Sequence, residues 1–169
     1  MFKRPALFAA LLIAPLALVG GCGLQPMYAG GSGGGVARAL SGVSVGPIEG
    51  QSGWLVRNAL TDRLGAGQEN STARYRLDIR LDDTVEGLGQ LSNDTTTRER
   101  RTLRARYQLV DLTSGNVLLD ATAGSDAGFD VVNSEYAVIA AEQTALENLA
   151  QEVADQIVTR VSVRLRDAK

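Results

Sequence analysis

Apolar and charged residues alternate strictly in two stretches of the chain, and the other elements can be laid out around them. In residues 97–112, Leu103, Ala105, Tyr107 and Leu109 share one parity, whereas Arg98, Arg100, Arg104 and Arg106 share the other. Side chains of a strand point to alternate faces, so this spacing predicts a strand with an apolar inner face and an outer row of guanidinium groups. Residues 74–86 repeat the pattern, with Tyr75, Leu77, Ile79 and Leu81 set between Arg74, Arg76, Asp78, Arg80 and Asp82. Antiparallel pairing of the two would merge their outer faces into a field of seven arginines (Arg74, Arg76 and Arg80 with the four above) against Asp78 and Asp82. Such a run reads either as a solvated face or as a surface for an anionic partner. The near-exclusive use of arginine, suited to bidentate contacts with carboxylate and phosphate, tilts the reading towards the anionic partner.

Around this pair the spacing predicts four further elements. Residues 43–48 form a short first strand, broken by Gly46 and Pro47. Residues 51–64 carry apolar positions at 56, 59, 60 and 64, the three-and-four spacing of an amphipathic helix, with Ser52 as N-cap and Gly65 ending it. Trp54 is expected in the core or at its rim. Residues 66–72 are a polar loop, and residues 87–96 connect the hairpin, where Leu88 and Leu91 either pack back or touch a partner. A turn at 113–116, with Gly115 and Asn116 able to take positive φ, leads to a return strand over 117–123. That strand turns Val117, Leu119, Ala121 and Ala123 inward and continues as a glycine-broken arm over 124–132. A last helix, capped by Asn133 or Ser134, runs to about Arg166 on a stripe of Ile139, Leu146, Leu149, Val153, Ile157, Val161 and Leu165. At about 1.5 Å per residue it approaches 50 Å, longer than the sheet expected beside it. Arg160, Arg164 and Arg166 suit its negative C-terminal end. The order β-α-β-β-β-α predicts an α+β two-layer sandwich: a four-stranded, mostly antiparallel sheet with two helices packed on one face.

The N-terminus reads as an export signal. Lys3 and Arg4 precede an apolar run over 6–19, too short to span comfortably as a permanent helix, and Leu18-Val19-Gly20-Gly21-Cys22 resembles the bacterial lipobox. Residues 1–21 are then a lipoprotein signal peptide, and Cys22, the one cysteine, carries thioether-linked lipid and an N-terminal acyl chain such as palmitate. The alternatives are an ordinary secretory cleavage that leaves a free thiol, or an uncleaved anchor helix. Residues 22–42, with glycines at 30, 31 and 33–35, form a tether, leaving 43–169 as the folded domain. Two or more acyl chains suffice for stable anchoring. Gly23 in place of the aspartate that resembles an inner-membrane retention signal favours the periplasmic face of the outer membrane.

Composition removes most chemistry. Without residues 1–21 the chain carries 15 basic against 19 acidic residues, a balance unlike that of a nucleic-acid binder. There is no histidine, the one cysteine is committed to lipid, and no acidic pair or calcium-loop spacing stands out. No catalytic residue, metal site or cofactor is expected, and the chain does not read as an enzyme.

With these pieces in place the chain resembles the LptE family of lipopolysaccharide-assembly lipoproteins, in its alphaproteobacterial form. The resemblance rests on Cys-Gly-Leu-Gln-Pro-Met-Tyr at 22–28, the 43–48 strand, and Gln51, Arg57, Leu60 and Leu64 in the first helix. It continues in Tyr-Gln-Leu-Val-Asp at 107–111 before Gly115, and in Glu135-Tyr-Ala and Ala140-Ala-Glu at the start of the last helix. The glycine tether and the low aromatic content are not typical of the family. The resemblance implies a plug inside the outer-membrane β-barrel LptD, assistance in assembling that barrel, and contact with lipopolysaccharide in transit. It makes Arg76, Arg80, Arg98, Arg100, Arg104 and Arg106 the candidates for lipid A phosphates, or for acidic residues lining the barrel. The rival class is an auxiliary lipoprotein of an ABC-type lipid-trafficking system.

Overall fold

The computed structural model describes residues 34–65, 73–90 and 96–167. The signal segment, Cys22, the tether as far as residue 33, the 66–72 loop, Leu91 and Lys169 therefore lie outside the described residues. In chain order the elements are α1 (Gly35–Ser41), β1 (Val43–Val45), α2 (Gly50–Leu64), β2 (Tyr75–Gln90), β3 (Thr96–Asp111), β4 (Val117–Asp130) and α3 (Glu135–Asp167). The strands stand in the order β1-β2-β3-β4; β1 runs parallel to β2, and the other neighbours are antiparallel. The α+β class holds, with three helices where two were expected. The extra one, α1, begins on the last glycine of the run that suggested a tether and lies within residues 22–42. Val36, Ala39 and Leu40 give it a short amphipathic spacing, and Leu40 is buried in the core.

Period-two parity organises the sheet. Tyr75, Leu77 and Ile79 of β2, Leu103, Ala105, Tyr107 and Leu109 of β3, and Ala123 of β4 are all buried on one face. Against them pack Val56, Leu60 and Leu64 of α2 and Leu149, Val153, Ile157, Val161 and Leu165 of α3. The left-handed Gly65, at φ 67°, ends α2 as the spacing predicts. The helix begins one residue early, however, after the extended Glu49, so Ser52 lies inside its first turn and is not the cap. Trp54 is 63% exposed, outside the core.

Several boundaries move. The hairpin is longer than expected: Gly87 pairs with Glu99, Leu88 with Arg98 and Gln90 with Thr96, so 87–90 belong to the ladder. Strand β4 runs unbroken to Asp130, because Gly124 and Gly128 stay in register opposite Arg104 and Arg100. A register shift between Leu109 and Val110 leaves Val117 53% exposed, where strict alternation would turn it inward. With strands of 16 residues at about 3.3 Å each, the sheet is about 50 Å long and the 33-residue α3 does not outrun it. Ile139 is nevertheless 57% exposed. Gln51, near the start of α2, bonds Gln143 (2.9 Å), so the first two turns of α3 extend past the point where α2 begins and have no helix to pack against.

Candidate functional site

The helices cover the inner face, so the even-numbered residues of β2, β3 and β4 make an open outer face. Arg76, Arg80, Arg98, Arg100, Arg104 and Arg106 are all exposed there. The face is not the nearly uniform cationic field that two strands alone suggest. Glu86 of β2 and Asp120, Asp126 and Asp130 of β4 join Asp78 and Asp82 on it, giving six arginines among six acids. The seventh arginine, Arg74, sits at the end of the sheet, 3.8 Å from Asp111 and stacked over the Tyr75 ring at 5.2 Å.

Three of the six outer arginines meet carboxylates. Arg76 donates from Nε to both oxygens of Asp78 (2.9 and 3.0 Å), and Arg100 lies 3.6 Å from Asp126. Arg106 donates twice to Asp120 (3.2 and 3.4 Å), which also accepts from the Gln108 amide (2.8 Å). The Gln108 bond first, and Arg106 after it, holds the Asp120 carboxyl below its ordinary pKa. Arg80, Arg98 and Arg104 make no ion pair with any described residue.

The register sets two of these, Arg80 and Arg104, beside the Asp120-paired Arg106. Arg80 stands directly opposite Arg106, and Arg104 is the next outward residue on β3. Like charges directly opposite one another cost stability. These three arginines, with Asp82, Thr122 and Gly124, line a shallow cleft of about 400 Å³. Two glycines of β4 shape the neighbouring surface. A Cβ on Gly128 would lie 3.2 Å from the Arg98 guanidinium, and one on Gly124 would lie 3.2 Å from both Arg104 Cγ and the Leu103 carbonyl oxygen. The missing side chains let Arg98 and Arg104 lie across the edge strand. Two features escaped the sequence reading. One is the alternation of Asp120, Thr122, Gly124, Asp126, Gly128 and Asp130, which seats arginines between carboxylates and was visible as a period-two pattern. The other is Arg101, whose inward parity places it beneath α3 in contact with Asp83 and Glu142.

Buried Tyr107 places its hydroxyl beneath α3, where no described residue makes a hydrogen bond of good geometry to it. Burial pushes its pKa up, and the nearby Arg160 guanidinium pulls against that. Among the described residues no group of acidic or thiol side chains is arranged to hold a metal ion.

Comparison with known proteins supplies the rest. The family model described as LptE, lipopolysaccharide-assembly, matches residues 40–161. A putative lipoprotein of Caulobacter crescentus is similar in structure, with a TM-score of 0.66 and 27% identity over 80% of this chain and 98% of its own. The rare lipoprotein B of Shewanella oneidensis has the same fold at 12% identity, with a TM-score of 0.57 over 75% of this chain and 96% of its own. A minor lipoprotein of Acinetobacter baumannii follows at 17% identity and a TM-score of 0.53, over 72% of this chain and 91% of its own. No curated protein matches. With the family model spanning α2, the whole described sheet and most of α3, the chain belongs to the LptE family of lipopolysaccharide-assembly proteins.

Proposed function

We propose that this chain is a lipid-anchored outer-membrane protein that plugs and helps assemble an LptD-like β-barrel and binds lipopolysaccharide on its way to the surface. Family membership supports the assembly role. The observation that carries the ligand is the Arg80–Arg106 opposition, with Arg104 beside it, in an open cleft. Arg106 already holds Asp120 and Asp82 faces Arg104 across the strands, but Arg80 stands against Arg106 with no ion pair among the described residues, and a phosphate there accepts from Arg80 and Arg104 by charge-assisted hydrogen bonds. Arg76, Arg98 and Arg100 flank the cleft and take secondary contacts with the same headgroup or with acidic residues of the barrel wall. Cys22 carries the anchor.

The test pairs two double variants of the full lipidated chain. Arg80→Glu with Arg104→Glu should weaken lipopolysaccharide binding by at least about tenfold, since each lost charge-assisted bond is worth roughly 1.5–3 kcal/mol and 1.4 kcal/mol is tenfold. Arg76→Glu with Arg100→Glu, whose parents already hold carboxylates, should cost less. Equal loss in the two, or none, overturns the cleft. In-cell crosslinking identifies the partner. Capture of an outer-membrane barrel supports the plug, whereas capture of an inner-membrane ATPase transfers the chain to ABC-type lipid trafficking.

A further inference from the structure

The two edges of the sheet are finished differently. In β4 the even-numbered residues turn their backbone N–H and C=O groups outwards, and three side chains one helical turn apart on α3 close part of that edge. Gln156 bonds both N–H and C=O of Gly124 (3.2 Å each), Arg160 donates to the Thr122 carbonyl (3.3 Å) and Arg164 to that of Leu118 (2.7 Å). At the other edge β1 covers β2 only at Tyr75, Arg76 and Leu77, and the last bond runs from Gly46 N–H to the Leu77 carbonyl (3.1 Å). Beyond it the outward groups belong to Ile79, Leu81, Asp83, Val85 and Gly87, and no described residue bonds them. An unpaired edge of this length is a template for another strand.

We propose that this edge pairs with the same edge of a second copy of the chain, antiparallel about a two-fold axis between the two Asp83 residues. A two-fold contact uses the same patch on both partners, so the patch must complement itself. This one does. In that register Leu81 of each copy opposes Val85 of the other, and Arg80 opposes Glu86. Val85 is 43% exposed in the single chain. Neither Arg80 nor Glu86 makes an ion pair with a described residue. Pairing therefore supplies partners to groups that lack them. The two Asp83 carboxylates that meet on the axis are each already held by Arg101 through two bonds of 2.8 Å. Neighbouring registers fail: one sets Asp82 against Asp82, and the other sets Asp82 against Glu86. The inference concerns the chain before it docks and does not depend on the barrel reading.

The experiment measures the protein mass of the full lipidated chain in detergent by light scattering, together with amide exchange at 79–87. The wild type should show twice the mass of one chain and slowed exchange at Leu81, Asp83 and Val85. Arg80→Glu and Glu86→Arg should each give one chain and fast exchange, and the double exchange of charge should restore the pair. A single-chain mass for the wild type at its highest soluble concentration overturns the proposal. So does a dimer indifferent to both single variants, a double variant that stays single, or protection of this edge only when an outer-membrane barrel is bound.

Discussion

Arg101 and Asp83 are joined by two parallel hydrogen bonds of 2.8 Å on the helix-covered side of the sheet, and Glu142 of α3 takes the remaining Arg101 nitrogen at 3.0 Å. The Asp83 bond, against the opposing effect of burial, raises the Arg101 pKa further. The cluster ties the far part of the hairpin to the first turns of α3, beside the buried Phe129 of β4. Its side chains are only 13% and 20% exposed for Arg101 and Asp83. Arg101→Ala should therefore cost about 2–3 kcal/mol, somewhat less than a fully buried pair broken on one side. Urea unfolding of this variant checks it, and Arg101→Met combined with Asp83→Leu should recover most of the loss.

The two bonds from Gln156 to Gly124 lend α3 the role of a neighbouring strand. Gln156→Ala should lose about 1–3 kcal/mol, at roughly 0.5–1.5 kcal/mol net per bond. Exchange at the Gly124 amide should quicken selectively, while that of Ala123, which faces β3, changes only with global stability.

Gly53 tests packing against propensity. Alanine in a helix interior gains about 1 kcal/mol over glycine. A Cβ at Gly53 would, however, fall 2.7 Å from the Ile48 carbonyl oxygen and 2.8 Å from its carbon, both backbone atoms. Overpacking of this kind costs about 1–3 kcal/mol, so Gly53→Ala should be net destabilising despite its better propensity. A lower urea midpoint at unchanged slope is the expected reading.

Asp155 carries a pH dependence. Hydrogen bonding to Arg63, which also bonds Gln151 (2.7 Å) and so fastens α2 to α3, lowers its pKa from 3.8. A carboxyl depressed in the folded state contributes stability that is present above its unfolded pKa and is lost as pH falls through the folded value. The wild type should thus exceed Asp155→Asn in stability at neutral pH, with the gap closing as the pH falls below 3.8. Paired unfolding curves at pH 7 and at acid pH check the sign.

Period two carried most of what could be read in advance. The parity of β2 and β3 assigned Leu77, Leu103 and Leu109 inward and Arg80, Arg98 and Arg104 outward, because burial on one face leaves a strand only one workable register. What parity within a strand does not contain is the content of the neighbouring strand. The aspartates of β4 meet the arginines only through pairing across 14 or more residues of sequence, so the mixed charge of the face was hidden. Gly124 and Gly128 misled for a related reason. Read locally, a glycine breaks a strand, but here it makes room for an arginine arriving from the strand next door. The charged α3 residues Arg160 and Arg164 likewise suit a helix end by composition, yet their guanidinium groups serve the edge of the sheet.

The short helix α1 has a mechanical consequence. Leu40 is wedged into the core, and the Gly42 carbonyl accepts from the N–H groups of Arg74 and Tyr75 (3.0 and 3.1 Å), at the end of β2 away from the hairpin. Tension arriving through the residues before Gly34 is thus resisted at that root, by a packed leucine and paired backbone. The arginine-lined cleft lies farther along the strands, at Arg80, Arg104 and Arg106, so the proposed anchor and the proposed ligand would load different parts of the sheet.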